Sequence, residues 1–194
     1  MKLKLLKTKI MKNYMSFVGH YKKLVDDSLC DSIINTDFQY SKSTYSTHAG
    51  LSPDDERVKM DEIWIRKNEK YYDELKNIVS KAANLYSEEV KKSDRDFIVQ
   101  KTTDFRLNKY NKGGFMSRHT DNIHHSHGQQ YGYPQATCLL FLNDDFEGGQ
   151  FIVSELHLRI RKGDALVFPS NFMFPHEVKK IEEGTRWTIV SWLL

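Results

Sequence analysis

The sequence predicts a mainly β fold with flanking helices, an α+β domain whose core is a β-sandwich, a barrel or a jelly roll. Two patterns carry this. From Asp96 onward, short β-prone runs alternate with turn signals: Phe97-Ile98-Val99, Phe105-Arg106-Leu107, Ala136 to Leu142, Gln150 to Val153, Ala165 to Phe168 and Trp187 to Leu193. Between them lie Gly113-Gly114, Asn143-Asp144-Asp145, Gly148-Gly149, Lys162-Gly163-Asp164 and Glu183-Gly184. Before Asp96 the apolar residues recur instead at helical spacing. A chain of 194 residues with 39% hydrophobic and 12% aromatic residues suits one folded domain with a sizeable core. We read residues 1–194 as that single domain, about 1–95 forming a helical layer with supporting strands and about 96–194 the β core.

Taken in order, Val25 to Thr36 reads as a short helix, with Leu24, Val25, Leu29, Cys30, Ile33 and Ile34 on one face and Asp26 or Asp27 at its start. Gln39 to Pro53, rich in Ser, Thr, Gly and Tyr, reads as loop, ending in turn chemistry at Ser52-Pro53-Asp54-Asp55. Val58 to Ile65 reads as one strand. A longer helix, about Glu69 to Lys91, carries the stripe Tyr72, Leu75, Ile78, Val79, Ala82, Ala83, Tyr86 and Val90, a face for packing on a sheet. No internal repeat or low-complexity linker interrupts the chain.

Composition excludes several classes. The formal charge is +3, and the lysines are mostly interleaved with acids rather than gathered with aromatics, so nucleic acid is not an expected partner. No apolar run approaches a transmembrane length, and the lysine-broken opening does not read as a cleavable signal peptide, so no membrane association is expected. Two cysteines, Cys30 and Cys138, cannot build a disulfide framework; a soluble protein of the reducing cytoplasm is expected.

The most informative residues are His119 and Asp121, with His176 far downstream and Arg186 ten residues beyond it. In a strand, residues i and i+2 point to one face, so His119 and Asp121 can approach one ion together, with His176 arriving from another strand. Two imidazoles and a carboxylate are the ligand set that holds non-haem Fe(II) with open positions, although zinc, manganese or copper suit the same trio. An anionic co-substrate at such a metal needs a fixed cation, a role open to Arg186. The stretch after Asp121 contains His124, His125 and His127 among Ser, Gly, Gln and Tyr; it reads as a loop beside the site rather than a second metal site. Tyr131 and Tyr133 on it are candidate substrate contacts. Trp192 reads as core, and Lys101 and Arg106 carry no assignable role.

Several of these elements, in order, resemble the Fe(II)/2-oxoglutarate-dependent dioxygenase superfamily, specifically its prolyl 4-hydroxylase-like branch. The resemblance runs from about Phe97 to the end. It rests on Tyr110-Asn111-Lys112-Gly113 before His119-Thr120-Asp121, on Leu140 to Gly149 with its Gly-Gly turn, and on Lys162 to Pro169. His176-Glu177-Val178 and Gly184-Thr185-Arg186-Trp187 complete it. The sequence departs at Met116, where the family commonly has tyrosine, and at Arg186, where many prolyl hydroxylases have lysine.

The resemblance implies a double-stranded β-helix (jelly roll) with iron on His119, Asp121 and His176. Arg186 would hold the distal carboxylate of 2-oxoglutarate, because its planar fork makes bidentate bonds to carboxylate. Thr188 and Tyr110 would add hydrogen bonds to the co-substrate. The implied cofactors are Fe(II), 2-oxoglutarate and O2, with ascorbate as an accessory. The implied reaction hydroxylates a C–H bond with release of succinate and CO2, a prolyl residue of a peptide or protein being the leading substrate. Other side chains or small molecules stay open as substrates. So do two different classes, a zinc hydrolase on the same ligands and a catalytically silent jelly-roll binding module.

Overall fold

The computed structural model describes residues 15–47, 50–52, 57–93, 95–122 and 133–194. In chain order its elements are β1 (Gly19–Tyr21), α1 (Asp27–Ile34), β2 (Ser41–Lys42), β3 (Tyr45–Thr47), β4 (Gly50–Ser52), β5 (Val58–Lys59), β6 (Asp61–Ile65) and α2 (Tyr72–Lys91). Then come β7 (Phe105–Tyr110), β8 (Phe115–His119), β9 (Ala136–Phe141), β10 (Glu147–Gly148), β11 (Phe151–Val153) and β12 (Leu156–His157). β13 (Ala165–Pro169), β14 (His176–Val178), β15 (Ile181–Glu183) and β16 (Arg186–Leu193) follow.

A seven-stranded antiparallel sheet runs β1-β13-β9-β16-β7-β6-β2, and a five-stranded one runs β12-β11-β14-β8-β5. Two short pairs, β10–β15 and β3–β4, complete the strands. The fold is a jelly roll, as expected.

The large sheet is buried on both faces, and residues alternate between two cores with the period of two that pleating dictates. Phe105 and Leu107 of β7, Cys138 and Leu140 of β9, Ala165 and Val167 of β13, and Ile189 of β16 pack toward the helices. Tyr110, Leu139, Phe141, Leu166, Phe168, Val190 and Trp192 pack instead with Val58, Met116, Phe151, Val153 and Val178 of the small sheet. α2 covers the outer face with Leu75, Val79, Ala82, Ala83, Tyr86 and Val90, the expected stripe. At roughly 1.5–3 kcal/mol per buried large apolar side chain, this helix face and its sheet partner are major contributors to stability. Cys30 and Cys138 are buried thiols, pushed by burial up to about 11 and about 12, which keeps them unreactive near neutral pH.

Four local expectations need correction. The segment read as loop over Gln39–Pro53 holds β2, β3 and β4; β2 is a polar edge strand on β6 whose backbone pairing its side chains do not announce. The turn at 53–55 lies outside the described residues. The single strand expected over Val58–Ile65 is two strands in different sheets, with Met60 at the corner. Val58 and Met60 face the inter-sheet core, while Ile63 and Ile65 face the helices. The long helix starts at Tyr72, not Glu69, because Asn68 and Tyr71 adopt left-handed φ of 73° and 72°. The Tyr71 hydroxyl donates to the Ser32 carbonyl of α1 at 2.9 Å, which ties the two helices together there. Phe97-Ile98-Val99 forms no strand: Phe97 packs edge-on against Tyr86, Ile98 is 66% exposed, and pairing with β16 is a single bridge, Thr102 to Leu193. The short helix expected over Val25–Thr36 is found as α1, with Asp26 as its N-cap residue but no side-chain capping bond.

Two ties position the site-bearing strands. The buried Asp164 carboxylate accepts the backbone N–H of Lys23 and of Arg161, each at 3.0 Å, and contacts His20 Nε2 at 2.8 Å, which locks β1 onto the turn before β13. The Gly-Gly turn is left-handed at both residues, Gly148 at 72° and Gly149 at 62°. A Cβ on Gly148 would sit 2.4 Å from the Lys180 carbonyl oxygen, and one on Gly149 would sit 2.3 Å from Ile181 Cδ1 and 3.3 Å from Arg186 Cδ. Gly148→Ala is therefore expected to lose about 2 kcal/mol or more through strain and backbone clash. Urea unfolding, with the slope unchanged and the midpoint lowered, measures this.

Candidate metal centre

His119 is the last residue of β8, and Asp121 lies just past that strand, in a bend rather than in the extended geometry expected. His176 opens β14, which pairs with β8 so that His176 and His119 are direct cross-strand partners. Each imidazole is oriented from behind: His119 Nδ1 meets the Ser117 carbonyl at 2.8 Å and His176 Nδ1 the Phe174 carbonyl at 3.2 Å. With each Nδ1 turned to a backbone carbonyl, both Nε2 atoms are directed toward Asp121 as the potential ligand atoms. They lie 3.5 Å and 3.4 Å from its Oδ1 and Oδ2, and the potential ligand atoms of all three residues fall within 4.8 Å of one another. Metal–N and metal–O bonds of about 2.0–2.2 Å put neighbouring ligands on the order of 3 Å apart, so the trio fits one ion.

Asp121 is fixed by its own support. The Thr137 hydroxyl donates to Oδ2 at 2.6 Å, and Thr137 shares a 2.8 Å hydrogen bond with Ser170. Burial alone would raise the Asp121 carboxyl, but the facing imidazoles and the Thr137 hydroxyl hold it well below the usual carboxylate range. Burial pushes the His176 imidazole down to about 4 against the pull of Asp121, so it is neutral near pH 7, the form that ligates. Phe168 and Phe151 wall its ring at 4.9 Å and 5.7 Å between centroids.

Arg186 opens β16 opposite Tyr110 of β7 and, at 2% exposure, is among the largest fully buried side chains. Its Cζ lies 5.2 Å from the Tyr110 ring centre and 5.3 Å from that of Phe141, and its Nη1 is 3.5 Å from Thr188 Oγ1. Burial lowers it to about 10, which leaves it cationic at neutral pH. Among the described residues no carboxylate pairs with it. A buried charge with no counter-ion among the described residues costs several kcal/mol, a cost that an anionic ligand would relieve. It shares one pocket with the metal cluster, walled also by Tyr110, Thr188, Met116, Leu139 and Val190.

Residues 105–194 match the family model of the 2OG-Fe(II) oxygenase superfamily. This C-terminal part of the chain is similar to that family. Human prolyl 3-hydroxylase 2 is 33% identical over 69 residues, which cover 32% of this chain and 10% of that protein, so the chain spans only a small part of that relative's length. Among solved structures, a viral collagen prolyl hydroxylase of Paramecium bursaria Chlorella virus-1 in a 2OG complex superposes with a TM-score of 0.64, at 16% identity, over 91% of this chain and 94% of that one. A Trichoplax adhaerens prolyl hydroxylase bound to a hypoxia inducible factor peptide fragment gives 0.65, at 17% identity, over 100% and 93%. These relatives and neighbours are named as prolyl hydroxylases, and the name of the matching family carries the two groups, Fe(II) and 2-oxoglutarate, that the pocket's chemistry suits.

Six of the eight site residues expected from the sequence, His119, Asp121, His176, Arg186, Tyr110 and Thr188, line this pocket. Tyr133 stands 47% exposed outside its wall, and Tyr131 with His124, His125 and His127 lies outside the described residues. Met116 is both packed in the core and part of the pocket wall. Trp192 is core, as read. Sequence reasoning missed Thr137, Asn108 and Arg106, all of which line the pocket. The signal for the last two was present: Arg106, Asn108 and Tyr110 share one face of β7 by the same two-residue spacing that paired Arg186 with Thr188.

Thr137→Val keeps the shape and removes the hydroxyl that holds Asp121. It is expected to weaken divalent-metal binding by about 10–100-fold, read by calorimetric titration with Mn(II) or anaerobic Fe(II).

Proposed function

We propose that this protein is an Fe(II)- and 2-oxoglutarate-dependent dioxygenase that hydroxylates a C–H bond, with a prolyl residue of a peptide or protein as substrate and succinate and CO2 as co-products. The observation that carries the reading is the buried Arg186 guanidinium, with no carboxylate partner among the described residues, in the same pocket as two imidazoles and a carboxylate. Relatives named as prolyl hydroxylases support the prolyl substrate.

In this reading His119, Asp121 and His176 would hold the metal. Iron and 2-oxoglutarate, when bound, would supply the oxidising chemistry with O2. Arg186 fixes the distal carboxylate of 2-oxoglutarate, the Thr188 hydroxyl stands beside it, and Tyr110 offers a further donor from the facing strand. Leu139, Met116, Phe151 and Val190 keep the pocket apolar, which strengthens these contacts and limits water. A zinc hydrolase would use the three ligands but leaves the buried Arg186 charge without a purpose. A silent binding module leaves unexplained the Thr137, Ser117 and Phe174 contacts that orient those ligands.

We further take residues 1–194 as one domain, since β2, β5 and β6 from the first half extend both sheets. Ascorbate would serve only to keep the metal reduced. No helix among the described residues is long and apolar enough to cross a membrane. With two buried thiols, we place the protein in the cytoplasm.

Anaerobic titration of Fe(II) and then 2-oxoglutarate is expected to produce a visible metal-to-ligand charge-transfer band; folded protein that gives none refutes the assignment. His176→Ala should abolish succinate formation. Arg186→Ala should raise the 2-oxoglutarate requirement at least about tenfold, the loss of a charge-assisted bond, while Fe(II) binding persists; unchanged kinetics would remove its role. Mass spectrometry of proline-containing peptides after incubation should find a gain of one oxygen.

A further inference from the structure

The pocket wall holds a second, partly buried guanidinium, which neither the metal cluster nor Arg186 uses. Arg106 precedes Tyr110 by four residues on the pocket face of β7, and its side chain is 11% exposed. Its Cζ lies 5.2 Å from the Trp192 ring centre and 6.0 Å from that of Trp64. Glu62 of the neighbouring strand places Oε2 3.6 Å from Arg106 Nη1, near enough to balance charge but too far for a hydrogen bond. That same Oε2 accepts the buried Ser43 hydroxyl at 2.7 Å. Among the described residues, Arg106 Nε is therefore buried with no acceptor, and Asn108 Oδ1, two residues along the same face, is buried with no donor. Each such group costs about 1–3 kcal/mol when left unmade, so a wall that keeps one donor and one acceptor unpaired suits a ligand that brings their complements.

Strand register separates this feature from the co-substrate end. Arg186 faces Tyr110; Thr188, Asn108 and Glu62 form the next rung; Val190, Arg106 and Trp64 form the one after. Successive rungs on one face are about 6.5–7 Å apart, so Arg106 stands roughly 13 Å along the strand from Tyr110. One end of the wall is a bare cation suited to a dicarboxylate. The other is a charge-balanced cluster with a free N–H and a free oxygen, suited to an uncharged amide.

We propose that Arg106 and Asn108 determine substrate specificity: Arg106 donates to a backbone carbonyl of the bound peptide, Asn108 Oδ1 accepts one of its N–H groups, and Glu62 neutralises the cluster so that an amide is preferred to a carboxylate. This rests on reading the pocket as one that takes a peptide. It assigns the residues that tell an internal peptide segment from a free C-terminus.

Two probes test it on the full-length protein, acetyl-Gly-Pro-amide and acetyl-Gly-Pro with a free carboxylate, with binding followed by fluorescence of the tryptophans bordering Arg106. The native protein should bind the amide at least about fivefold more tightly than the carboxylate, and Glu62→Gln should narrow or reverse that ratio. Arg106→Met should weaken the amide probe about tenfold or more, the scale of a hydrogen bond to a charged group, and should cost more in probe affinity than in 2-oxoglutarate affinity. An unaltered ratio in Glu62→Gln, no binding of either probe by the native protein, or equal loss of probe and 2-oxoglutarate in Arg106→Met would overturn the proposal. Should Arg106→Met not fold, the near-isosteric Glu62→Gln decides alone. Probe binding needs no turnover, so the outcomes separate. Arg106-dependent discrimination without a charge-transfer band would sink the oxygenase reading and keep this one, and a band without discrimination would do the reverse.

Discussion

Burial of the seven-stranded sheet on both faces is the constraint from which the rest of the molecule follows. β16 sits at its centre with every residue buried, between β9 and β7. A strand in that position must satisfy two environments at alternate residues. Trp187, Ile189 and Leu193 pack with the helices, while Arg186, Thr188, Val190 and Trp192 face the small sheet. The helical layer, with its α2 stripe, is thus not an accessory. It supplies the apolar partner that lets the opposite face carry polar chemistry without exposing the backbone ladder to water.

That opposite face is graded in charge along its length. The imidazoles and Asp121 approach from the small sheet, Arg186 closes one end as a cation with no carboxylate partner among the described residues, and Arg106 with Glu62 forms a balanced pair at the other. Each polar group is held from behind, Asp121 by Thr137, His119 by the Ser117 carbonyl and His176 by the Phe174 carbonyl. The glycines at 148 and 149 serve the same end, since a side chain at 149 would crowd Ile181 and the stem of Arg186. Stability and pocket geometry are set by the same contacts.

Much of this was legible in the sequence because its signals are local. His119 and Asp121 are two residues apart, Arg186 and Thr188 likewise, and the Gly-Gly turn is contiguous. The α2 stripe survives as read because one-sided burial leaves a clean helical period. What was lost came from two-sided burial and from backbone-only pairing. Arg106 looked ordinary between Phe105 and Leu107, because those two residues face a different core from the one it enters. Val58 to Ile65 looked like one strand because an apolar count does not record that the chain changes sheets at Met60. β2 to β4 pair through main-chain bonds in a segment whose composition says loop, and Tyr71 enters the left-handed region with nothing local to announce it.

The cross-strand pairing of His119 with His176 has a mechanical side. These residues are distant in the chain but adjacent across β8 and β14. An ion gripping both would close a long loop of polypeptide, much as a covalent cross-link does, and would restrict the unfolded ensemble while bracing the small sheet at its middle strands. Folding and cofactor loading would then be linked equilibria, with metal activity in the surrounding solution setting part of the protein's resistance to unfolding. A chelator would act on such a molecule twice, stripping its chemistry and slackening the half of the sandwich that carries it.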